Sequence, residues 1–568
     1  MRAARLLVVS LAIVCPACGA AGNPPALTND AGAGSSEGGG TVDGGSPESG
    51  PDAAEAGADG ASSGTPLSVT LSTAAVVNTL GPRFLGINYV AHHAPPSNED
   101  WPASTSSQGI AQTAIQALRF PGGDPADLFD WRCPYYDPTS STVCPSAPTA
   151  TSWNETNPGT DLWGYIAPFK TASTVVLYQT DVFGDTGWTY GANTLSLPVP
   201  AGYTTKATDP ATVQAWAQAV QSAGYAADWE IGNEPELVLA AQNPPQAFSL
   251  YTTAFNAQAS AIHAAASGAH VFGPAISAHG FPTATSDGAL GEFFTTGLDA
   301  SQLYGVSIHH YTDGLCQPAA ATWTALAAIP AGWASGPMAY VKRVLAKHSF
   351  TGPIAVTEFA LGPQGCTSSG DLQRPQYNPM LGNALVNLDM IGALATSGAS
   401  QAFYFDIHNG NDGQYADGLF YHTGEPTYPP GRGADSPTAL FYAFVMWKAM
   451  GDQVVTCNGD PSVSTSEVEC WATTRSGDGS VQALVVNKTG SPHTLAVSGF
   501  GAHSSVTRYS LTSSSVTPDW TDIDVAYNGT VNPPYTSALP APATDPVSGS
   551  SYSTSLPAYS AIILSFGG

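Results

Sequence analysis

The chain has 568 residues, with 16 Lys+Arg against 43 Asp+Glu and a formal net charge of −27. That length exceeds one ordinary domain, and so acidic a surface repels polyanions, which sets aside nucleic acid and heavily sulfated glycans as partners. Only 10% of residues are charged, while 12 Trp and 23 Tyr supply rings able to stack on sugars.

Met1 to Arg5 is basic and precedes the apolar run Leu6 to Val14. This is the layout of an export signal, too short to span a bilayer, so residues 1–20 are excluded from the fold. Ala17-Cys18-Gly19, with Cys15 nearby, also fits the acylated cysteine of a lipoprotein. Ordinary cleavage near Ala20 is the alternative. Residues 21–65 are Gly, Ala, Ser, Pro and acidic side chains with almost nothing to bury, which predicts a flexible tether. The expectation is an exported protein. It is either lipid-anchored at the outer cell surface, with the anchor its only membrane contact, or secreted or periplasmic.

Folding is expected to begin at Pro66. Leu67-Ser68-Val69-Thr70-Leu71 alternates, and residues 66–80 are assigned to a strand that joins the C-terminal sheet. Residues 84–89, which end in Asn88-Tyr89, predict the first barrel strand. The second is Ala117-Leu118-Arg119-Phe120-Pro121-Gly122-Gly123-Asp124, followed by Phe129-Asp130-Trp131. An arginine inside an apolar strand is costly unless it meets a carboxylate. Residues 174–179 predict a third strand. Residues 211–224 place Val213, Trp216 and Val220 at helical spacing, and Gly224 ends that helix. There follows Asp228-Trp229-Glu230-Ile231-Gly232-Asn233-Glu234-Pro235, a buried strand running into a turn that halts at proline.

A helix over 248–266, a strand over 270–274 and a strand over 304–311 come next. A helix over 338–348 leads into Pro353-Ile354-Ala355-Val356-Thr357-Glu358-Phe359, and residues 402–408 make the eighth strand. Strands alternating with helices predict a (β/α)8 TIM barrel over 81–450. Asn233, Glu234 and Glu358 then fall at the C-terminal ends of strands, where such barrels do their chemistry. After a helix over 437–450 the pattern turns to short alternating strands, among them residues 481–487 and 556–564. An antiparallel β-sandwich is predicted over 451–568.

Beyond the two N-terminal cysteines, six remain, an even number in a chain that looks exported. Sequential pairing, Cys133–Cys144, Cys316–Cys366 and Cys457–Cys470, is chosen because the first and last pairs close short loops. His309-His310-Tyr311 invites a metal reading. Neighbours on a strand face opposite sides, however, and no third ligand accompanies them, so no metal or other cofactor is expected. Which histidine faces inward depends on register.

Trp-Glu-Ile-Gly-Asn-Glu-Pro at 229–235 resembles the acid/base signature of the large Asn-Glu-Pro clan of retaining (β/α)8 glycoside hydrolases. It reads most like family 79, the β-glucuronidases and heparanases, with families 51, 39 and 30 close. Arg-x-Pro-Gly-Gly from Arg119, with a Trp downstream, is similar to the second strand of families 51, 39 and 79. The closing Leu-Pro-x-Tyr-Ser at 556–560 is similar to the end of the sandwich appended to these barrels.

The resemblance implies that Glu234 is the general acid/base and Glu358 the nucleophile, with Asn233 bonded to the sugar 2-hydroxyl. It further implies Arg119 beside the nucleophile, Tyr311 hydrogen-bonded to it, and Asn88, Trp131 and either His309 or His310 in the sugar site. The expected activity is double-displacement hydrolysis of a polysaccharide or oligosaccharide by a monomer, β-glucuronidase-like in the favoured reading. An arabinofuranosidase or a xylan- or xyloside-cleaving enzyme is the alternative. From another class, the alternative is a non-catalytic carbohydrate-binding lipoprotein. Trp101, Trp131, Trp153 and Trp188 in predicted loops are candidate stacking platforms.

Overall fold

The computed structural model describes residues 65–89, 104–123, 126, 174–182, 209–241, 247–313, 315–364, 366, 368, 370–408, 418–421, 432–433 and 435–567. The signal, the tether up to residue 64, Trp101, Trp131, Trp153, Trp188 and the Cys133–Cys144 pair lie outside the described residues.

Both parts of the expected architecture are present. A first strand, β1 (Thr65–Thr79), precedes a closed parallel barrel whose strands follow chain order. These are β2 (Leu85–Asn88), β3 (Ala117–Phe120), β4 (Val175–Thr180), β5 (Ala226–Ile231), β6 (His270–Ile276), β7 (Gly305–Asp313), β8 (Ile354–Gln364) and β9 (Gln401–Tyr404). The strands between β3 and β6 are buried almost throughout, as near-continuous apolar runs should be when helices cover their outer face. Inside the barrel, Ala117, Leu177, Phe272, Ala355 and Phe403 form a separate apolar cluster. Side chains two residues further along a strand share its face. Arg119 on β3, Gln179 on β4 and Thr357 on β8 therefore make the next layer toward the C-terminal mouth.

Two register shifts shape that mouth. Between β7 and β8, Ile308 pairs with Val356 but His309 pairs with Glu358, so Thr357 is an extra residue and Glu358 is brought opposite His309. Between β6 and β7 the shift falls at Ala275, whose φ is +54°.

The remaining strands are β10 (Gln453–Asn458), β11 (Val468–Thr474), β12 (Val481–Asn487), β13 (His493–Ser498), β14 (Ser505–Ser513), β15 (Val525–Tyr527), β16 (Thr530–Val531), β17 (Ala543–Pro546), β18 (Ser551–Leu556) and β19 (Ser560–Gly567). With β1 they form an 11-stranded sheet. It encloses an apolar core of its own, to which β1 contributes Leu67, Val69 and Leu71. Strand β1, the first among the described residues, sits between two late ones, antiparallel to β10 and parallel to β13.

Helix Leu381–Ser397, between β8 and β9, is buried along almost its whole length. Its Asp389 accepts from Trp471 Nε1 at 2.8 Å and Lys488 Nζ at 2.5 Å, which ties the barrel to the β domain through a fully buried ion pair. The disulfides Cys316–Cys366 and Cys457–Cys470 are formed. No helix among the described residues is long and apolar enough to cross a membrane.

Candidate active site

At the barrel mouth the chain brings together side chains from β2, β3, β4, β5, β7 and β8. Gly232, with φ +82°, turns the chain after β5. Glu234 itself has φ +40°, and its amide donates to Ala275 O at 3.0 Å, so the turn that carries this carboxylate is pinned to the shifted end of β6. Non-glycine residues with positive φ are uncommon, and such strain gathers at functional sites.

A carboxylate oxygen of Glu234, one of Glu358 and a ring nitrogen of His309 all lie within 4.8 Å of one another. The two carboxylates differ in environment. The Glu234 side chain keeps 16% of its exposure against 6% for Glu358, so Glu234 is the one better placed to exchange a proton with water.

Glu358 is held from both sides. Arg119 Nη1 donates to Oε1 at 2.5 Å and Tyr311 Oη to Oε2 at 2.5 Å. Burial alone would push this carboxyl up; His309, Arg119 and Tyr311 together outweigh it and hold the group below its ordinary range. Arg119 is wholly buried and engaged along its whole fork. Nε donates to Glu230 Oε2 at 2.6 Å, Nη1 also to Asn88 Oδ1 at 2.9 Å, and Nη2 to Asn233 Oδ1 at 3.0 Å. Burial opposes its charge, but Glu230 and Glu358 more than compensate, and its pKa is raised.

The tautomer of His309 follows from its neighbours. Arg119 Nη2 lies 3.4 Å from His309 Nε2 and can only donate. The ring proton therefore sits on Nδ1, which donates to Glu234 Oε1 at 2.9 Å with Glu358 Oε2 at 3.5 Å. Burial, the largest influence, keeps the ring below its ordinary pKa, although the charge of Glu358 pulls the other way. The same tautomer withdraws Nδ1 from metal ligation, although two carboxylates stand beside it.

Asn233 is oriented by donors. Its Oδ1 accepts from both Arg119 and Gln179 Nε2, the latter at 2.9 Å, which turns its Nδ2 the other way.

Two of the expected site residues lie elsewhere. His310 is not in the site: it lies beside Trp333 at 4.4 Å between ring centroids, and burial pushes its pKa down to about 4. The alternation of the strand sends it outward when His309 points in. Asn88, expected at the sugar, is wholly buried with both amide ends in use, its Nδ2 donating to Thr357 O at 3.0 Å and Tyr404 O at 3.2 Å. It stands behind the carboxylates, as does Arg119. Trp131 lies outside the described residues.

Sequence reasoning did not single out Phe405. Its ring lies 6.2 Å from that of Tyr311. A Cβ placed on Gly123 would meet Phe405 at 3.3 Å and Glu358 Oε1 at 3.5 Å, so both border one small space. Gly122 and Gly123 take φ +69° and +65°, which only glycine adopts without cost, and this accounts for the paired glycines after Arg119. As the third of three consecutive aromatics in the predicted strand 402–408, Phe405 carried no signal that set it apart from its neighbours.

No family model matches the chain, and no curated protein matches it. Solved structures do. A bifunctional glucanase-xylanase from a metagenome library is 15% identical at a TM-score of 0.60, covering 89% of this chain and 99% of its own. A GH51 arabinofuranosidase from Xanthomonas axonopodis pv. citri is 16% identical at 0.57, covering 88% and 99%. A family 44 xyloglucanase from Paenibacillus polymyxa, solved with xyloglucan, is 12% identical at 0.56, covering 89% and 100%. At such identities the likeness is one of fold, and it extends over barrel and β domain together.

Proposed function

We propose that the chain is a retaining O-glycoside hydrolase. The observation that carries this reading is that a carboxylate oxygen of Glu234 lies within 4.8 Å of one of Glu358, too close to leave room for a water between the two groups. Retaining enzymes hold their two carboxyls about 5 to 5.5 Å apart, whereas inverting ones leave about 6.5 to 9.5 Å for a water. Support comes also from the difference in environment between the two acids, and from glycosidases of several specificities among the similar structures.

In the first step Glu358 attacks the anomeric carbon and forms an ester. The bond to the leaving oxygen breaks with its electron pair, and that oxygen takes the proton of Glu234. In the second step Glu234 takes a proton from water, whose oxygen attacks the same carbon. The ester bond then breaks and its electron pair returns to Glu358. Arg119 and Tyr311 hold the nucleophile ionised, and Asn233 is set to bond the sugar 2-hydroxyl.

Glu358→Ala should abolish turnover. Glu234→Ala should keep measurable activity on nitrophenyl glycosides, whose leaving group needs no proton, and lose it on alkyl glycosides. Equal residual rates for both variants on the activated substrate, or a product of inverted anomeric configuration, would remove the assignment.

A panel with β-glucuronide, α-L-arabinofuranoside and β-xyloside as aryl glycosides reads the sugar directly. The β-glucuronidase reading rests on the phrase at 229–235. The arabinofuranosidase and xylan-cleaving readings have support from the similar structures. Export, with or without a lipid anchor at Cys18, is proposed on the basic and apolar N-terminus alone.

A further inference from the structure

Among the buried carboxylates of the barrel that the proposed reaction leaves without a task, Glu230 is the one bonded to Arg119. Glu230 on β5 is wholly buried. Its Oε2 binds Arg119 Nε at 2.6 Å, and its Oε1 is buried with no hydrogen-bond partner among the described residues. Arg119 spans the interior from β3, with Nε toward Glu230 and Nη1 toward Glu358 at 2.5 Å. One positive charge is thus shared by two carboxylates, of which the reaction uses one. Because a guanidinium is flat and rigid, fixing its Nε edge fixes the direction in which Nη1 and Nη2 point.

We propose that Glu230 is a positioning residue for the nucleophile: it anchors the Nε edge of Arg119 so that the other edge meets Glu358 and Asn233, and it draws part of the guanidinium charge away from Glu358. The inference rests on the glycosidase reading above and concerns the same site.

The groups around Glu230 are few. Arg119 faces it from β3, with His309 from β7 and Glu358 from β8 in the same cluster. On its own strand Asp228 lies one layer below, engaged by Arg83 at 3.1 Å and His270 at 3.0 Å, Glu234 follows in the turn, and Glu236 in the helix Pro235–Ala241. The residues paired with Glu230 on β4 and β6, Gln179 and Phe272, carry no charge, and neither does Asn88 on β2.

Glu230→Gln keeps the shape and removes the charge. The repulsion between Glu230 and Glu358 then vanishes, and Arg119 serves Glu358 undivided. Both changes favour the ionised nucleophile, so the acidic limb of kcat/KM on an aryl glycoside should move to lower pH, by about one unit. Glu230→Asp keeps the charge but draws the carboxylate back. The limb should then stay in place while kcat falls roughly tenfold, because Arg119 no longer points correctly, and KM stays within about twofold.

A side chain that merely fills the barrel would lower the thermal midpoint in both variants and leave the limb where the wild type has it, and that result overturns the proposal. Should Glu230→Gln fail to fold, Glu230→Asp decides alone, and a raised KM with unchanged kcat overturns it. Glu358→Ala, assayed alongside, separates the two readings. Retained activity there overturns the glycosidase assignment and this proposal with it; lost activity with an unmoved Glu230→Gln limb overturns this proposal only.

Discussion

At the scale of single residues, the site is a buried cationic fork with acids on either side, and its pH response follows from that. Beside His309, Arg119 and Tyr311 lower the pKa of Glu358 against its burial through direct hydrogen bonds. Removing either contact raises it, so the acidic limb of the rate profile should move to higher pH in Tyr311→Phe, with kcat down about tenfold or more. A limb that stays put would show that the hydroxyl only packs. The sequence exposed much of this arrangement. An arginine in an apolar strand announced a carboxylate partner, and two carboxylates at strand ends announced a meeting point. It did not show that Arg119 has two acidic partners, because Glu230 reads as an ordinary member of an alternating strand. Nor could it choose between His309 and His310, since the parity of a strand is set by its neighbours and here also by the extra residue Thr357 in β8.

At the scale of elements, the eight barrel strands were legible because each is a short apolar run that ends at a turn signal. The turn after β3 gives a direct test. Gly123→Ala puts a methyl group against Phe405 and Glu358 at a φ of +65°. The expected cost is about 1–2 kcal/mol of stability, read as a lower thermal midpoint, with a loss of kcat larger than that change would explain. Helix Leu381–Ser397 was not legible. It packs between barrel and β domain, is buried on nearly all sides, and so shows no amphipathic stripe. Its polar residues look misplaced in the sequence and are bonded in the fold. Asn387 Oδ1 accepts from Leu361 N at 3.0 Å, and its Nδ2 donates to Asn383 Oδ1 at 2.6 Å. They brace β8 three residues beyond Glu358.

At the scale of the whole molecule, the joint between barrel and β domain concentrates buried charge. Lys488 and Asp389 are both wholly buried, and removing one partner of such a pair costs about 3–5 kcal/mol. Beside them, burial and then the charge of Asp389 push Glu469 up to about 7. A carboxyl raised in the folded state binds its proton more tightly there than in the unfolded chain. This group's contribution to stability is therefore complete below its ordinary pKa and declines as pH rises through about 7. Glu469→Gln should flatten that decline, so its thermal midpoint should gain on the wild type between pH 5 and 8. A constant difference across that range would refute the linkage. In the β domain the strand at 481–487 was legible, whereas the run 556–564 crosses the turn between β18 and β19; the pairing order was not legible, because nothing local in residues 65–79 names β10 and β13 as neighbours.

That placement bears on synthesis. Strand β1 must wait for partners made about 370 to 430 residues later, while the barrel between them can already assemble. Until then the late strands present two raw edges in mid-sheet, open to any other chain. A fragment beginning at residue 451 would keep those edges for good. It should clump when expressed alone and become tractable when a peptide of residues 65–79 is supplied with it.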